Sequence, residues 1–187
     1  TYFLAGANQW AKDTGNTVLL SFGSTGKFYS QIKNGPPFDV FLSEDEATPA
    51  RLEKEGTAIA GSGFTYATGR LVLWSAKPGV VDAQADILKK NDFKNIAIAA
   101  PKLAPYGAAA VQTLTHMGLL ATVQPKFVTG ESIGQTFSFV STGNAELGFV
   151  ALSQVYENGK IKSGSGWIVP EDLHAPLRQD VVELDHA

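Results

Sequence analysis

The chain has 187 residues, of which 44% are apolar and 18% are charged, and this composition is typical of a globular protein with one large domain or two small ones. Its formal net charge of −3 disfavours nucleic acid as the main partner, because phosphate backbones attract basic surfaces. The absence of cysteine excludes disulfides and thiolate metal sites. Every apolar run is far shorter than the roughly 20 residues that span a bilayer.

The first predicted element is a helix over residues 2–13, in which apolar residues recur at helical spacing. Lys12 and Gly15 are typical of a helix C-terminus. No N-cap residue precedes the helix, so we expect that the sequence begins after the start of the natural chain. The lack of a visible leader therefore does not indicate a location.

The next segment predicts a strand, a glycine loop, a helix and a second strand. The apolar run 17–22 is followed by the loop 23–26, and the near-continuous apolar run 38–42 is typical of a parallel strand buried on both faces. A helix that begins directly after such a loop presents unpaired N–H groups and the positive end of its dipole. Ser24 and Thr25 add hydroxyl donors there, so the segment favours anion binding without a cation.

The rest of the chain continues this alternation of strands and helices. We predict strands at 69–76, 96–100, 127–128, 147–151, 167–169 and 181–184, and helices at 43–54, 87–88, 108–117, 135–142 and 153–156. Two parallel-sheet units in tandem indicate two α/β lobes, with the loops at the carboxyl ends of their strands facing a crevice.

Three of these loops share a composition suited to a small oxyanion. Residues 23–26, 104–107 and 130–134 each follow a strand, precede a helix and contain glycine, and none contains Lys, Arg or His. Their hydroxyl groups, which include those of Tyr106 and Ser132, and their backbone N–H groups can satisfy an anion with neutral donors. Taken singly, each loop is also explained as an ordinary helix N-cap or a packing contact, and both interpretations stay open at this point.

Enzyme chemistry has little support in the sequence. His116, His174 and His186 lie far apart and have no metal-ligand spacing, and no nucleophile motif or phosphate-binding loop occurs. The acidic run 44–46 stands at a predicted helix start, where a solvated first turn is the expected role. Lys27 is expected on the exposed face of its helix.

Several stretches of the chain carry a family resemblance. The most specific is LSFGSTGKFYSQIKNGPPFDVFLSED, and further stretches are GRLVLWSAKPG, APYGAAAVQTL, GESIGQTFSFVSTGNAELGFVALSQV and GWIVPEDLHAPLRQDVVEL. In these stretches, and over nearly its whole length, the chain resembles the periplasmic molybdate-binding proteins, which are the substrate-binding components of ABC transporters for molybdate and tungstate.

The resemblance implies a fold and a role. The fold is the type II periplasmic-binding fold, an α/β architecture of two lobes with a ligand cleft between them. Lobe I comprises residues 1–73 and 171–187 and is incomplete, and lobe II comprises residues 74–170. The implied protein is a periplasmic monomer that uses no cofactor, catalyses no reaction, binds no nucleic acid and delivers its anion to the membrane permease of the transporter. Molybdenum is held as an oxyanion, without direct coordination of the metal by the protein.

The resemblance also implies ligand residues. The hydroxyl ligand of the first loop falls on Thr25, with Ser24 beside it, and backbone N–H donors fall on Tyr106 and Ile133. Some members have a Tyr ligand where this chain has Ala151, and the side chain of Tyr106 is a hypothetical replacement. The first strand and last helices of the family lie outside this sequence, so we expect a chain truncated at both ends, with an incomplete sheet in lobe I.

Two alternative functions remain at this stage: a binding protein for another small oxyanion such as sulfate, and an anion-sensing effector domain of a transcriptional regulator. Discrimination against sulfate is expected from cavity size. Discrimination against protonated phosphate is expected from the lack of an inward carboxylate acceptor, and Glu131 is the residue that would upset this expectation if it pointed inward.

Overall fold

The computed structural model describes residues 2–35 and 37–185, with side chains from Gly6 onward. The helices are α1 (Tyr2–Thr14), α2 (Thr25–Lys33), α3 (Ala47–Lys54), α4 (Asp86–Lys90), α5 (Pro105–His116), α6 (Leu120–Val123), α7 (Ile133–Ser141) and α8 (Leu152–Val155). The strands are β1 (Val40–Leu42), β2 (Phe64–Gly69), β3 (Leu71–Ser75), β4 (Ile96–Ala99), β5 (Phe127–Gly130), β6 (Leu147–Ala151), β7 (Tyr156–Glu157), β8 (Lys160–Ile161), β9 (Ser165–Ile168) and β10 (Leu177–Glu183). None of the helices in these ranges is long and apolar enough to span a bilayer.

The larger lobe is built on a five-stranded sheet in the order β5-β4-β6-β3-β9. Strand β4 pairs in parallel with β5 and β6, whereas β3 pairs antiparallel with β6 and β9. Strands β3, β4 and β6 are buried throughout, which explains their continuous apolar sequences. Helix α5 contributes Ala110 and Leu114 to the core on one side, and α7 contributes Val140 on the other, next to a stack of Phe137 on Trp74.

The smaller lobe is built on a three-stranded sheet in the order β1-β10-β2, in which both strand pairs are antiparallel. Its core joins Ile32 of α2, Leu52 of α3 and Phe41 and Val182 of the sheet. Among the described residues, no strand belongs to both sheets. The chain changes from one sheet to the other between β2 and β3, at Arg70, and returns between β9 and β10. The predicted lobe limits, with lobe I at 1–73 and 171–187 and lobe II at 74–170, stay a prediction.

The strand predicted at 17–22 does not form. This run is extended and unpaired, and Leu19 and Phe22 are 90% and 76% exposed. An apolar run forms a strand only if a neighbour supplies the ladder of hydrogen bonds, and no described strand pairs with this run. The predicted strand-helix-strand unit with a parallel first strand is therefore wrong for this part of the chain.

The predicted parallel sheets are also corrected. Strand β1 pairs antiparallel with β10 at a sheet edge, and Val40 is 50% exposed, so β1 is not buried on both faces. The larger sheet is mixed, and the smaller one is antiparallel. Strand β2 was not predicted, because its sequence FTYATG is mostly exposed and contains no apolar run. By contrast, α1, β4, α5, α7 and β6 confirm the predicted elements at those places.

Candidate functional site

A cavity of about 420 Å³ lies between the two lobes, and we call it the cleft. The smaller lobe lines the cleft with Thr25, Glu44 and Tyr66, and the larger lobe lines it with Tyr106, Ile133 and Gln154. The structure therefore brings together three of the four predicted site residues. Ser24 lines an adjoining cavity of about 390 Å³, which it shares with Lys27 and Leu103.

The first wall of the cleft is the N-terminus of α2. Ser24 is the N-cap residue, yet its side chain makes no capping hydrogen bond. It is 1% exposed, and its Oγ has no hydrogen-bond partner among the described residues. Thr25 is buried, and its Oγ1 accepts a hydrogen bond of 3.2 Å from the backbone N–H of Glu44. A buried hydroxyl group without a hydrogen-bond partner costs about 1 to 3 kcal/mol of folding free energy. The unpaired Oγ of Ser24 therefore indicates that a polar ligand binds there.

The second wall is the N-terminus of α5. Pro105 begins this helix, and Tyr106 is its second residue, so the backbone N–H of Tyr106 has no intrahelical acceptor. The Tyr106 hydroxyl accepts a hydrogen bond of 2.9 Å from Nε2 of Gln179, which belongs to β10 in the other lobe. Burial, followed by the nearby Glu44 carboxyl, raises the pKa of Tyr106, so this hydroxyl keeps its proton for donation.

The third wall is the N-terminus of α7. Ser132 caps this helix by accepting a hydrogen bond of 3.2 Å from Gln135 N, and Ile133 is the first helical residue, with a backbone N–H that has no intrahelical acceptor. The carbonyl oxygen of Ile133 accepts a hydrogen bond of 3.2 Å from Nε2 of Gln154. Ala151 lines the cleft at the end of β6. It has no hydroxyl group, unlike the Tyr that some members of the resembling family have at this position.

Two charged residues near these helix N-termini, Lys27 and Glu131, lie at the outside of the site. The Glu131 side chain is 74% exposed, and its carboxylate is 3.8 Å from Nζ of Lys27. Glu131 therefore does not supply the inward carboxylate that its position in the third loop allowed. The pair joins the two lobes, as does a hydrogen bond of 2.9 Å from Gly26 N to the carbonyl oxygen of Leu103.

Glu44 supplies an inward carboxylate instead. Its Oε2 is buried and has no hydrogen-bond partner within ranges 2–35 and 37–185. Burial, with a smaller contribution from Asp45, raises the pKa of Glu44 to about 7. The predicted role of a solvated first turn is wrong for Glu44, because α3 begins only at Ala47 and Glu44 belongs to the turn before it, whereas Glu46 of the same run is exposed. That turn is held by Asp45, whose Oδ1 accepts hydrogen bonds from Ser43 Oγ and Thr48 N at 3.0 and 2.9 Å.

One sequence signal pointed to Glu44. It comes two residues after a strand, at the carboxyl end where α/β proteins bind their ligands. The position of the run 44–46 at a predicted helix start favoured solvent exposure more strongly, and this preference was misleading for Glu44. Tyr66 lies nearby and donates a hydrogen bond of 3.1 Å to the carbonyl oxygen of Ser43. Burial, followed by the charges of Glu44 and Asp180, raises the pKa of Tyr66 to about 12.

His116 and His174, the two described histidines, do not form a site. Nδ1 of His116 lies 2.8 Å from the carbonyl oxygen of Leu173, and Nδ1 of His174 lies 2.8 Å from the carbonyl oxygen of Ala175. His186 lies outside the described residues. Across the part of the chain that the structure describes, no group of three or more His, Cys, Asp or Glu residues is arranged to hold a metal ion.

Comparison with known proteins agrees with the two-lobed architecture. The family model of the bacterial extracellular solute-binding proteins matches residues 3–187. The molybdate-binding protein ModA of Azotobacter vinelandii is 64% identical over 178 residues, which are 95% of this chain and 71% of that protein. ModA of Rhodobacter capsulatus is 51% identical over 175 residues, which are 94% of this chain and 68% of that protein.

A solved structure gives the same relationship. The periplasmic molybdate-binding protein of A. vinelandii superimposes with a TM-score of 0.93 at 48% sequence identity, over 97% of this chain and 80% of that one. This agreement confirms the type II periplasmic-binding fold and the resemblance found in the sequence. The chain belongs to the bacterial extracellular solute-binding proteins and, within them, to the group of the molybdate-binding proteins.

Proposed function

We propose that this chain is the substrate-binding component of an ABC transporter and captures molybdate in the cleft. The observation that carries the proposal is the meeting of three helix N-termini at one cavity. Thr25, Tyr106 and Ile133 are the first or second residues of α2, α5 and α7, and all three line the cleft. Helix N-termini favour anions through their free N–H groups and their dipoles.

The donor set suits a tetrahedral dianion. Among the described residues, no Lys, Arg or His lines the cleft, so an anion there would be held by hydroxyl and N–H donors. Each charge-assisted hydrogen bond contributes about 1.5 to 3 kcal/mol net. Five to seven such bonds reach sub-micromolar binding after the ordering costs are subtracted. The roles of Ser24, Thr25, Tyr106 and Ile133 as ligand residues are part of this proposal.

The contacts between the lobes support a mechanism of capture and release without turnover. An anion would bind to one lobe, and hinge closure would add the donors of the other lobe and exclude water. Three contacts already join the lobes near the cleft: Gly26 with Leu103, Gln179 with Tyr106, and Lys27 with Glu131. The proposal includes tungstate as a second ligand, a periplasmic location, a monomeric state and delivery to a membrane permease.

Isothermal titration with molybdate, tungstate, sulfate and phosphate tests the proposal. We expect tight molybdate and tungstate binding and no sulfate binding. The variant Thr25→Val removes one hydroxyl and keeps the branched shape, so the molybdate affinity should fall about 10- to 150-fold. Thr115→Val is the matched control, because Thr115 is an exposed helical residue whose Oγ1 donates a hydrogen bond of 2.7 Å to the carbonyl oxygen of Val111 in its own helix.

Two results would contradict the proposal. One is the absence of binding heat when molybdate is added to folded, ligand-free protein. The other is unchanged molybdate affinity in Thr25→Val, which would exclude the Thr25 hydroxyl as a ligand. Sulfate binding as tight as molybdate binding would support the alternative of a general oxyanion-binding protein.

A further inference from the structure

Glu44 lies in the cleft with the proposed anion ligands. Its backbone N–H donates to Thr25 Oγ1 over 3.2 Å, and both residues line the cleft together with Tyr106 and Ile133. Glu44 and Thr25 also line a smaller cavity of about 300 Å³ beside the cleft. Its carboxyl oxygen Oε2 is buried and lacks a hydrogen-bond partner in the described structure. Glu44 is the only acidic residue that lines the cleft in the described part of the chain.

Among the described residues, no positively charged side chain lines the cleft beside Glu44. Tyr66 of β2 and Tyr106 of α5 lie close enough to Glu44 for its charge to raise their pKa values. Asp180 of β10 acts on Tyr66 in the same way and accepts a hydrogen bond from Thr65 Oγ1. Asp45, in the same turn, adds a further negative charge. The remaining charged neighbours lie outside the cleft: Lys102 lines the smaller cavity, and the exposed pair of Arg178 and Glu46 lies at 3.4 Å.

The protonation state of Glu44 decides its effect on an anion. An ionised carboxylate repels a dianion in a site of low dielectric constant, whereas a neutral carboxyl group donates a hydrogen bond to it. Burial already raises the pKa of Glu44 to about 7, so both states are populated in the free protein near neutral pH. A dianion beside the carboxyl group would favour the protonated state further.

We propose that Glu44 binds the oxyanion as a protonated carboxyl group, so that anion capture at neutral pH takes up a proton and weakens as the pH rises. This inference rests on the proposed function. Glu44 then differs from the hydroxyl and backbone N–H ligands, because it can donate a hydrogen bond only when its carboxyl group is protonated. The sequence predicted discrimination against protonated phosphate because no carboxylate acceptor was expected inside the cleft. The carboxyl group of Glu44 removes that reason.

The test is a molybdate titration of the full chain at pH 6, 7 and 8, in buffers with different ionisation enthalpies. Free molybdate is fully ionised across this range, so any proton taken up binds to the protein. We expect uptake that approaches one proton at pH 8 and an affinity that falls about tenfold for each pH unit above 7. Glu44→Gln keeps a neutral donor, so it should bind without proton uptake and without this pH dependence.

Glu131→Gln is the matched control, because Glu131 is the exposed carboxylate at the edge of the site, and it should keep the proton uptake of the wild type. Molybdate binding without proton uptake, or Glu44→Gln with the wild-type pH dependence, would overturn this inference alone. Preferential binding of hydrogen phosphate above pH 7 would also overturn it, because Glu44 would then act as an acceptor. No molybdate binding at any pH would overturn the proposed function and this inference together.

Discussion

The ligand-free protein should become more stable at alkaline pH when Glu44 is replaced by Gln. In the folded state, burial raises the pKa of Glu44 from an ordinary value of 4.5 to about 7. Between pH 4.5 and about 7, the folded state therefore keeps a proton on Glu44 that the unfolded state has released. The stability that this proton contributes is fully present below pH 4.5 and is lost as the pH rises through 7. Gln cannot ionise, so the variant avoids the loss.

The size of the effect follows from the pKa shift. One pKa unit corresponds to about 1.4 kcal/mol, so the variant should be more stable than the wild type by about 3 kcal/mol at pH 8 and by about 1 kcal/mol at pH 5. Urea unfolding of both proteins at the two pH values measures the difference. Glu157→Gln is the control, because the Glu157 side chain is 55% exposed and lies 3.7 Å from Lys162 in a surface ion pair. A stability difference that is the same at both pH values would refute the reasoning.

Three further predictions follow from single positions. Ser24→Ala should leave the ligand-free stability unchanged or raise it by up to about 1 kcal/mol, because Oγ has no partner, yet it should weaken molybdate binding in the same titration assay. Leu19→Ser should change the unfolding free energy in urea by less than about 0.5 kcal/mol, because Leu19 is exposed. Leu73→Ala in the core should lower it by about 2 to 5 kcal/mol. A large loss of stability in Leu19→Ser would show that residue 19 is buried. Gly107→Ala should abolish or severely reduce folding measured by circular dichroism, because the added Cβ would collide with the carbonyl oxygen of Ala99.

The sequence was sufficient to predict elements whose signals are local or whose strands are buried. The predicted helices at 108–117 and 135–142 correspond to α5 and α7, which begin earlier, at Pro105 and at Ile133 after the N-cap Ser132. The apolar sequences of β4 and β6 reflect complete burial. Tyr106 and Ile133 lie in two of the glycine-containing loops that the sequence singled out, and their assignment as ligand residues came from the family resemblance.

Features that depend on a distant partner were not predictable from the sequence. The run 17–22 has the composition of a strand, but pairing is a property of two segments. The antiparallel pairing of β1 with β10 joins residues about 140 positions apart in the chain, as in Val40 with Glu183. Glu44 was misassigned for the same reason, because it lines the cleft together with residues of β2, α5 and β10, which are distant in the sequence.

The most direct test of the central claim is a crystal structure of the protein with molybdate, measured with X-rays above the molybdenum absorption edge. The anomalous signal locates the metal without reference to any assumed site. We expect one strong peak in the cleft, with the oxygen atoms of the anion about 2.7 to 3.2 Å from Thr25 Oγ1 and from the backbone nitrogens of Tyr106 and Ile133. A peak only at a surface lysine, or a cleft without molybdenum at saturating concentration, would contradict the account.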